Sequence, residues 1–134
     1  VSLGEGATSV WTWANANYGM KASAYIDKVN IPCVSRLTSP AIDLSKLTEA
    51  TLSFDQAINF ATDMKSECKV QISTDGKTWE DLEVSGYPAA NGWTFVTSTA
   101  SLNKYCGKKI YISFLYTSTD NSAPTWEIKN ILVK

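Results

Sequence analysis

From Gly107 to Ser118 apolar and polar side chains alternate: Ile110, Ile112, Phe114 and Tyr116 share one face of an extended chain, and Tyr111, Ser113, Leu115 and Thr117 share the other. A period of two is the signature of a strand with one buried face. Thr125–Val133 repeats it, with Trp126, Ile128 and Leu132 on one side and Glu127 and Lys129 opposite. The polar run Ser118–Pro124 between them reads as an exposed loop. Upstream, Ser9–Asn15 reads as a strand with Trp11 and Trp13 on one face. Tyr18–Tyr25 alternates Tyr18, Met20, Ala22 and Ala24 against Gly19, Lys21, Ser23 and Tyr25, and its small residues suit close packing against a facing sheet.

Asp27–Val34 reads as a loop. Arg36–Leu44 is extended but interrupted by Pro40, which predicts an edge strand or two short strands meeting at a bend. In Ala50–Phe60, Leu52, Phe54, Ile58 and Phe60 fall in core phase, and Gln56 is a polar residue in that phase that needs a partner. Lys69–Thr74 and Lys77–Leu82 flank Asp75-Gly76, a tight-hairpin signal. A longer loop, Ser85–Gly92, leads to a strand at Trp93–Val96, and Ser98–Cys106 reads as strand and turn. No helix is predicted, the nearest candidate (Leu44–Ala50) being too short. About nine or ten short strands make an all-β, two-sheet antiparallel sandwich in one module spanning 1–134.

A chain of 134 residues, 44% hydrophobic and 19% charged, has the makeup of a globular domain. A net charge of −1 with no basic run excludes a nucleic-acid partner, and no apolar run is long enough for membrane insertion. A start at Val1 reads as a module excised from a longer secreted protein, a monomer tethered to other domains. Histidine is absent, which removes Ser-His and Cys-His nucleophile pairs. Cys68 is in phase with Val70 and Ile72 and reads as a small core hydrophobe, whereas Cys33 and Cys106 fall in loops and could pair. Their spacing fits no metal motif.

Paired carboxylates would be needed for glycoside hydrolysis. The candidates are Asp43, Asp55, Glu80, Asp81, Glu83, Asp120 and Glu127, of which Glu80, Asp81 and Glu83 look like a solvated edge. Ser73–Trp79 resembles the Asp-box of sialidases one residue short, and it occurs once, as a turn motif without catalytic groups. The aromatics point elsewhere. Flat rings stack on sugar C–H faces while amides and carboxylates bind hydroxyl pairs. Two regions carry that mixture: Trp11, Trp13, Asn15, Asn17 and Tyr18, and Tyr87, Asn91 and Trp93 joined by Asp120 and Asn121. The competing reading puts Trp126, Phe54, Phe60, Phe95 and Phe114 in the core, joined by Trp11 or Trp93.

Several phrases stand here in one order: Tyr18–Tyr25, Leu37–Leu44, Leu52-Ser53-Phe54, Ile72–Gly76, Trp79, Gly107-Lys108-Lys109 and Trp126–Asn130. Together, from about Trp11 to Val133, they resemble the choice-of-anchor J domains, akin to the cleaved-adhesin domain, of Bacteroidetes surface and secreted proteins. The resemblance implies a jelly roll similar to galactose-binding-like and MAM-like folds, appended to other domains and without chemistry of its own. Related jelly rolls often hold a structural calcium through an Asp in the last strand; the comparable position here is Asn130, so that calcium comes without a clear motif. The expectation is a non-catalytic carbohydrate-binding module, secreted or at the cell surface, with a polysaccharide or oligosaccharide partner and no cofactor. The alternative is a protein-interaction, adhesin or spacer domain.

Overall fold

The computed structural model describes residues 11–15, 19–26 and 29–133. Its strands are β1 (Trp11–Asn15), β2 (Gly19–Ser23), β3 (Tyr25–Ile26), β4 (Val29–Asn30), β5 (Cys33–Thr38), β6 (Ile42–Asp43), β7 (Thr51–Asn59), β8 (Cys68–Ser73), β9 (Glu80–Asp81), β10 (Val96–Ser101), β11 (Lys109–Ser118) and β12 (Thr125–Val133). Four are only two residues long, so the longer strands form the predicted two-sheet β-sandwich. One sheet has the order β1-β2-β12-β7-β10 and the other β5-β11-β8-β9, with β6 also on β11. The pairings within both sheets are antiparallel. Pro40 does what its missing N–H dictates: β5 and β6 run along the same side of β11, separated by a break at residues 39–41.

The core is built where the alternation places it. Ile110, Ile112, Phe114 and Tyr116 of β11 are buried against Leu52, Phe54 and Ile58 of β7 and Trp126 and Ile128 of β12. Four rings interlock across the layers: Trp11–Trp126 (5.4 Å between centroids), Trp126–Phe114 (5.8 Å) and Phe114–Phe54 (5.3 Å). Ala22 pairs with both Trp11 and Trp126, so the small residue of β2 makes room for two indoles on its neighbours. Gln56 finds partners at both ends of its amide. The Trp126 indole N–H donates to Oε1 (2.9 Å), Nε2 donates to Ser98 Oγ (2.8 Å), and Ser98 donates to the Gly86 carbonyl (2.8 Å). At the edge of β12, Gly19 adopts φ +72°; a Cβ there would lie 2.1 Å from the Ile128 carbonyl oxygen, so only glycine fits.

Several expectations are corrected. Leu132 is not on the core face of β12 but 46% exposed. Lys129 pairs with Asp55 and Leu132 with Ser53, so Asn130 and Ile131 together oppose one residue, a β-bulge with Asn130 at φ +54°. The extra residue advances the phase by one step and turns Val133 inward instead. Phe60 lies beyond the end of β7, flipped out by φ +63°, and is 63% exposed. Phe95 sits on the outer surface under the Lys129 ammonium, 4.1 Å from its ring centroid. The strand predicted at Trp93 begins only at Val96. Asp27–Val34, read as a loop, holds β4, which pairs with β3, and the start of β5. The Asp75-Gly76 turn is longer than a two-residue hairpin, because Asp75 Oδ1 accepts the N–H groups of Lys77 (2.7 Å) and Thr78 (2.8 Å). A one-turn helix, α1 (Met64–Glu67), is capped by Asp63.

The cysteines are free. Cys68 is fully buried, in its predicted role. Cys33 belongs to β5, opposite Ser118 at the far end of β11, whereas Cys106 precedes the near end of that strand. A ten-residue strand spans about 30 Å, far beyond the reach of a disulfide.

Candidate functional site

One end of the sandwich carries a cleft of about 600 Å³, within the size range of small-molecule sites. Its lining includes Ser23 of β2 and Thr125 of β12, which pair with each other in a row of strand ends that Asn59 of β7, paired with Thr125, continues. Just past either end of that row stands an aromatic side chain, Tyr25 beyond β2 and Phe60 beyond β7. The backbones that bear them are about two strand spacings, roughly 10 Å, apart. Both rings are more than half exposed, Tyr25 at 56% and Phe60 at 63%. Asn30 and Asn121 add amides to the rim.

Phe60 is held in place rather than left to swing. Its left-handed backbone conformation is an outlier for a bulky residue and costs on the order of 1–3 kcal/mol. Asn59 Oδ1 accepts the Phe60 N–H (2.9 Å). Asn91 grips the next residue with both halves of its amide, accepting from Ala61 N–H and donating to Ala61 C=O, each at 2.9 Å. The Gly92 N–H donates to the Ile58 carbonyl (3.0 Å), which anchors the loop bearing Trp93. The Trp93 ring, 55% exposed, then meets Phe60 nearly edge-on at 5.9 Å and 75°. Opposite, Ser122 donates to Glu67 Oε1 and accepts from Thr62 Oγ1, while Glu67 Oε2 accepts the Thr62 and Asp63 N–H groups. This network ties α1 to the loop between β11 and β12. Asn30 Nδ2 donates to the Asp120 carbonyl (3.2 Å), joining that loop to the β3–β4 hairpin.

Of the residues singled out in the sequence, Asn121 lines this cleft, with Asp120 exposed beside it, while Asn91 and Trp93 do not line it but contact the lining residues Ala61 and Phe60. Trp11 does not. It is 6% exposed, with its indole N–H donating to the Ser35 carbonyl (3.2 Å), so neither ring face is open to a ligand. Tyr87 is half-buried against the core and donates its hydroxyl to the Cys68 carbonyl (2.7 Å), in an environment whose burial pushes its pKa up. Trp13 and Asn15 are placed only through their backbone pairing in β1, their side chains lying outside the described residues, as do Asn17 and Tyr18 altogether. The sequence reading missed Tyr25, Asn30 and Phe60. Tyr25 shares its phase with Lys21 and Ser23, which was the available sign that it faces outward.

A larger cleft of about 710 Å³ lies along the sandwich edge, between Leu82–Ser85 and β10. It offers one ring, Tyr105, whose hydroxyl donates to Glu80 (3.1 Å), with Asp81, Glu83 and Lys104 around it. The volume is greater, but the more exposed aromatic residues, Tyr25 and Phe60, are at the end cleft.

Two carboxylates lie diagonally on the outer face of β7 and β12, Asp55 and Glu127, with shifts in opposite directions. Asn130 Nδ2 (2.9 Å) and Thr97 Oγ1 (2.7 Å) donate to Asp55 and hold its pKa below the usual carboxylate range. Burial raises that of Glu127, against the pull of Lys21 and Lys129, and the residue is only 5% exposed. Neither lines either cleft. Nor does the Asn130 neighbourhood fit calcium: the Asp55 oxygens face an amide N–H, a hydroxyl and an ammonium, where calcium takes six to eight oxygen ligands. Among the described residues no helix is long and apolar enough to cross a membrane. Comparison with protein-family models and with curated proteins gives no match.

Proposed function

We propose that this chain is a non-catalytic carbohydrate-binding module of a secreted or cell-surface bacterial protein. The observation that carries the reading is the end cleft, where the exposed rings of Tyr25 and Phe60 flank a floor of hydroxyls with amides at its rim. Apolar ring faces for C–H stacking, together with a few hydrogen-bonding groups of fixed orientation, are what sugar recognition requires. The clasped Asn91 and the strained Phe60 add preorganisation, which lowers the ordering cost of binding. The resemblance to choice-of-anchor J domains supports the same reading and its extracytoplasmic setting.

Val29 and Val34, each 54% exposed, and Ile31 at 37% favour the alternative of a protein-interaction surface beside the cleft. Native affinity electrophoresis of the chain through gels containing polysaccharides separates the two readings. Retardation by at least one polysaccharide, reduced in Phe60→Gly, is the expected result. Unchanged mobility in every gel leaves the adhesin or spacer alternative, and release of sugars from the gel would show an enzyme instead.

A further inference from the structure

We infer that the end cleft takes a single soluble glycan that turns between neighbouring sugar units, and not the flat face of a crystalline polysaccharide. Trp93 is then a second stacking position, reached by a longer glycan. The inference rests on the carbohydrate-binding reading and deepens it. Stacking is directional: a sugar covers an aromatic ring face to face, so the planes of the rings dictate the shape of what covers them. Phe60 and Trp93 are neighbours, 5.9 Å apart between centroids, and each is more than half exposed. Their planes stand 75° apart. No flat surface lies against both. Two successive sugars that bend at their linkage do, because 5.9 Å is close to the length of one sugar unit.

The angle is built in rather than incidental. Asn59 and the Asn91 clasp on Ala61 hold the backbone on both sides of the Phe60 ring, and the Gly92 N–H on the Ile58 carbonyl anchors Trp93. The hollow between the rings points the same way. Thr125 lines it and is buried, on a strand that lies between β2, which leads to the exposed Tyr25, and β7, which leads to the exposed Phe60. A rigid plane resting on the two rings does not touch it, whereas a single glycan enters. β10, into which the Trp93 loop runs, flanks β7 on the side away from β12. Tyr25, Phe60 and Trp93 therefore succeed one another across the end of the sheet, and a glycan lying in the cleft continues past Phe60 onto Trp93.

The test compares the physical state of the glycan. The protein is sedimented with microcrystalline cellulose and with crystalline chitin, and run in native gels containing hydroxyethylcellulose, xyloglucan, galactomannan or laminarin. Expected is retardation by at least one soluble polysaccharide, with the protein left in the supernatant of both powders. Calorimetric titration with disaccharides and hexasaccharides of the cello-, manno- and laminari- series then reads the second position. Trp93→Ala should lower the hexasaccharide affinity about tenfold, the worth of one ring contact, and leave the disaccharide affinity nearly unchanged. An equal loss for both lengths, or none, overturns the inference. Sedimentation with either powder also overturns it while leaving carbohydrate binding standing. Absence of binding in every gel and to both powders overturns both readings.

Discussion

Asn91 holds Ala61 by two hydrogen bonds of 2.9 Å, one accepted from its N–H and one donated to its carbonyl. The side chain thereby acts as a strand partner for a single residue, fixing the turn after β7 against the loop that carries Trp93. Removing it in Asn91→Ala should cost about 1–2 kcal/mol, from two exposed hydrogen bonds. Asn91→Asp keeps the acceptor and loses the donor, so its loss should be close to half. Urea denaturation of the three proteins checks this, and an equal loss in both variants would show that the amide does not act as a two-sided clasp.

Phe60 is exposed, and its strained backbone offsets what its ring gains against Trp93, so the residue adds little net stability to the fold. In Phe60→Gly the left-handed backbone becomes permitted while the Trp93 contact is lost, two changes of about 1 kcal/mol that oppose each other. The unfolding midpoint should hardly move while polysaccharide retardation falls. A drop in stability of several kcal/mol, as in a core Phe truncation, would return Phe60 to a structural role.

Gln56 gives the opposite expectation. In Gln56→Leu the Trp126 indole N–H loses its acceptor inside a closed core. An unsatisfied buried donor costs about 1–3 kcal/mol, and retardation in polysaccharide gels should be unaffected because neither Gln56 nor Trp126 lines the end cleft. Thermal unfolding together with affinity gels reads both halves of that statement.

Asp75 sets an acid limit on the hairpin. Hydrogen bonds from the backbone N–H groups of Thr78 and Lys77, and from Ser73, hold its pKa down at about 2, against 3.8 when unperturbed. Because the folded value is the lower one, the contribution to stability is complete above pH 3.8 and is lost as pH falls towards 2. Carboxyl-carbon NMR titration should show an Asp75 midpoint near 2. A midpoint close to 3.8 would mean that the turn is not closed by its carboxylate.

Much of the architecture was readable in one dimension. Alternation over Ile110–Tyr116 placed four side chains in the core, Gln56 announced the need for partners, and Pro40 announced the break between β5 and β6. These follow from local rules, since a strand sends every second side chain the same way and proline has no N–H to give. The site was less readable because two left-handed residues reset the phase. Asn130 turned Leu132 out and Val133 in, and Phe60, counted as core, became an exposed ring. Trp11 and Trp93 are the same residue type in similarly polar surroundings, yet one is enclosed and the other open. Composition and periodicity fix which residues can be buried, but which strand ends meet is decided by long-range pairing. Only the pairing of Ser23, Thr125 and Asn59 across three distant segments brings Tyr25 and Phe60 to the two sides of one cleft.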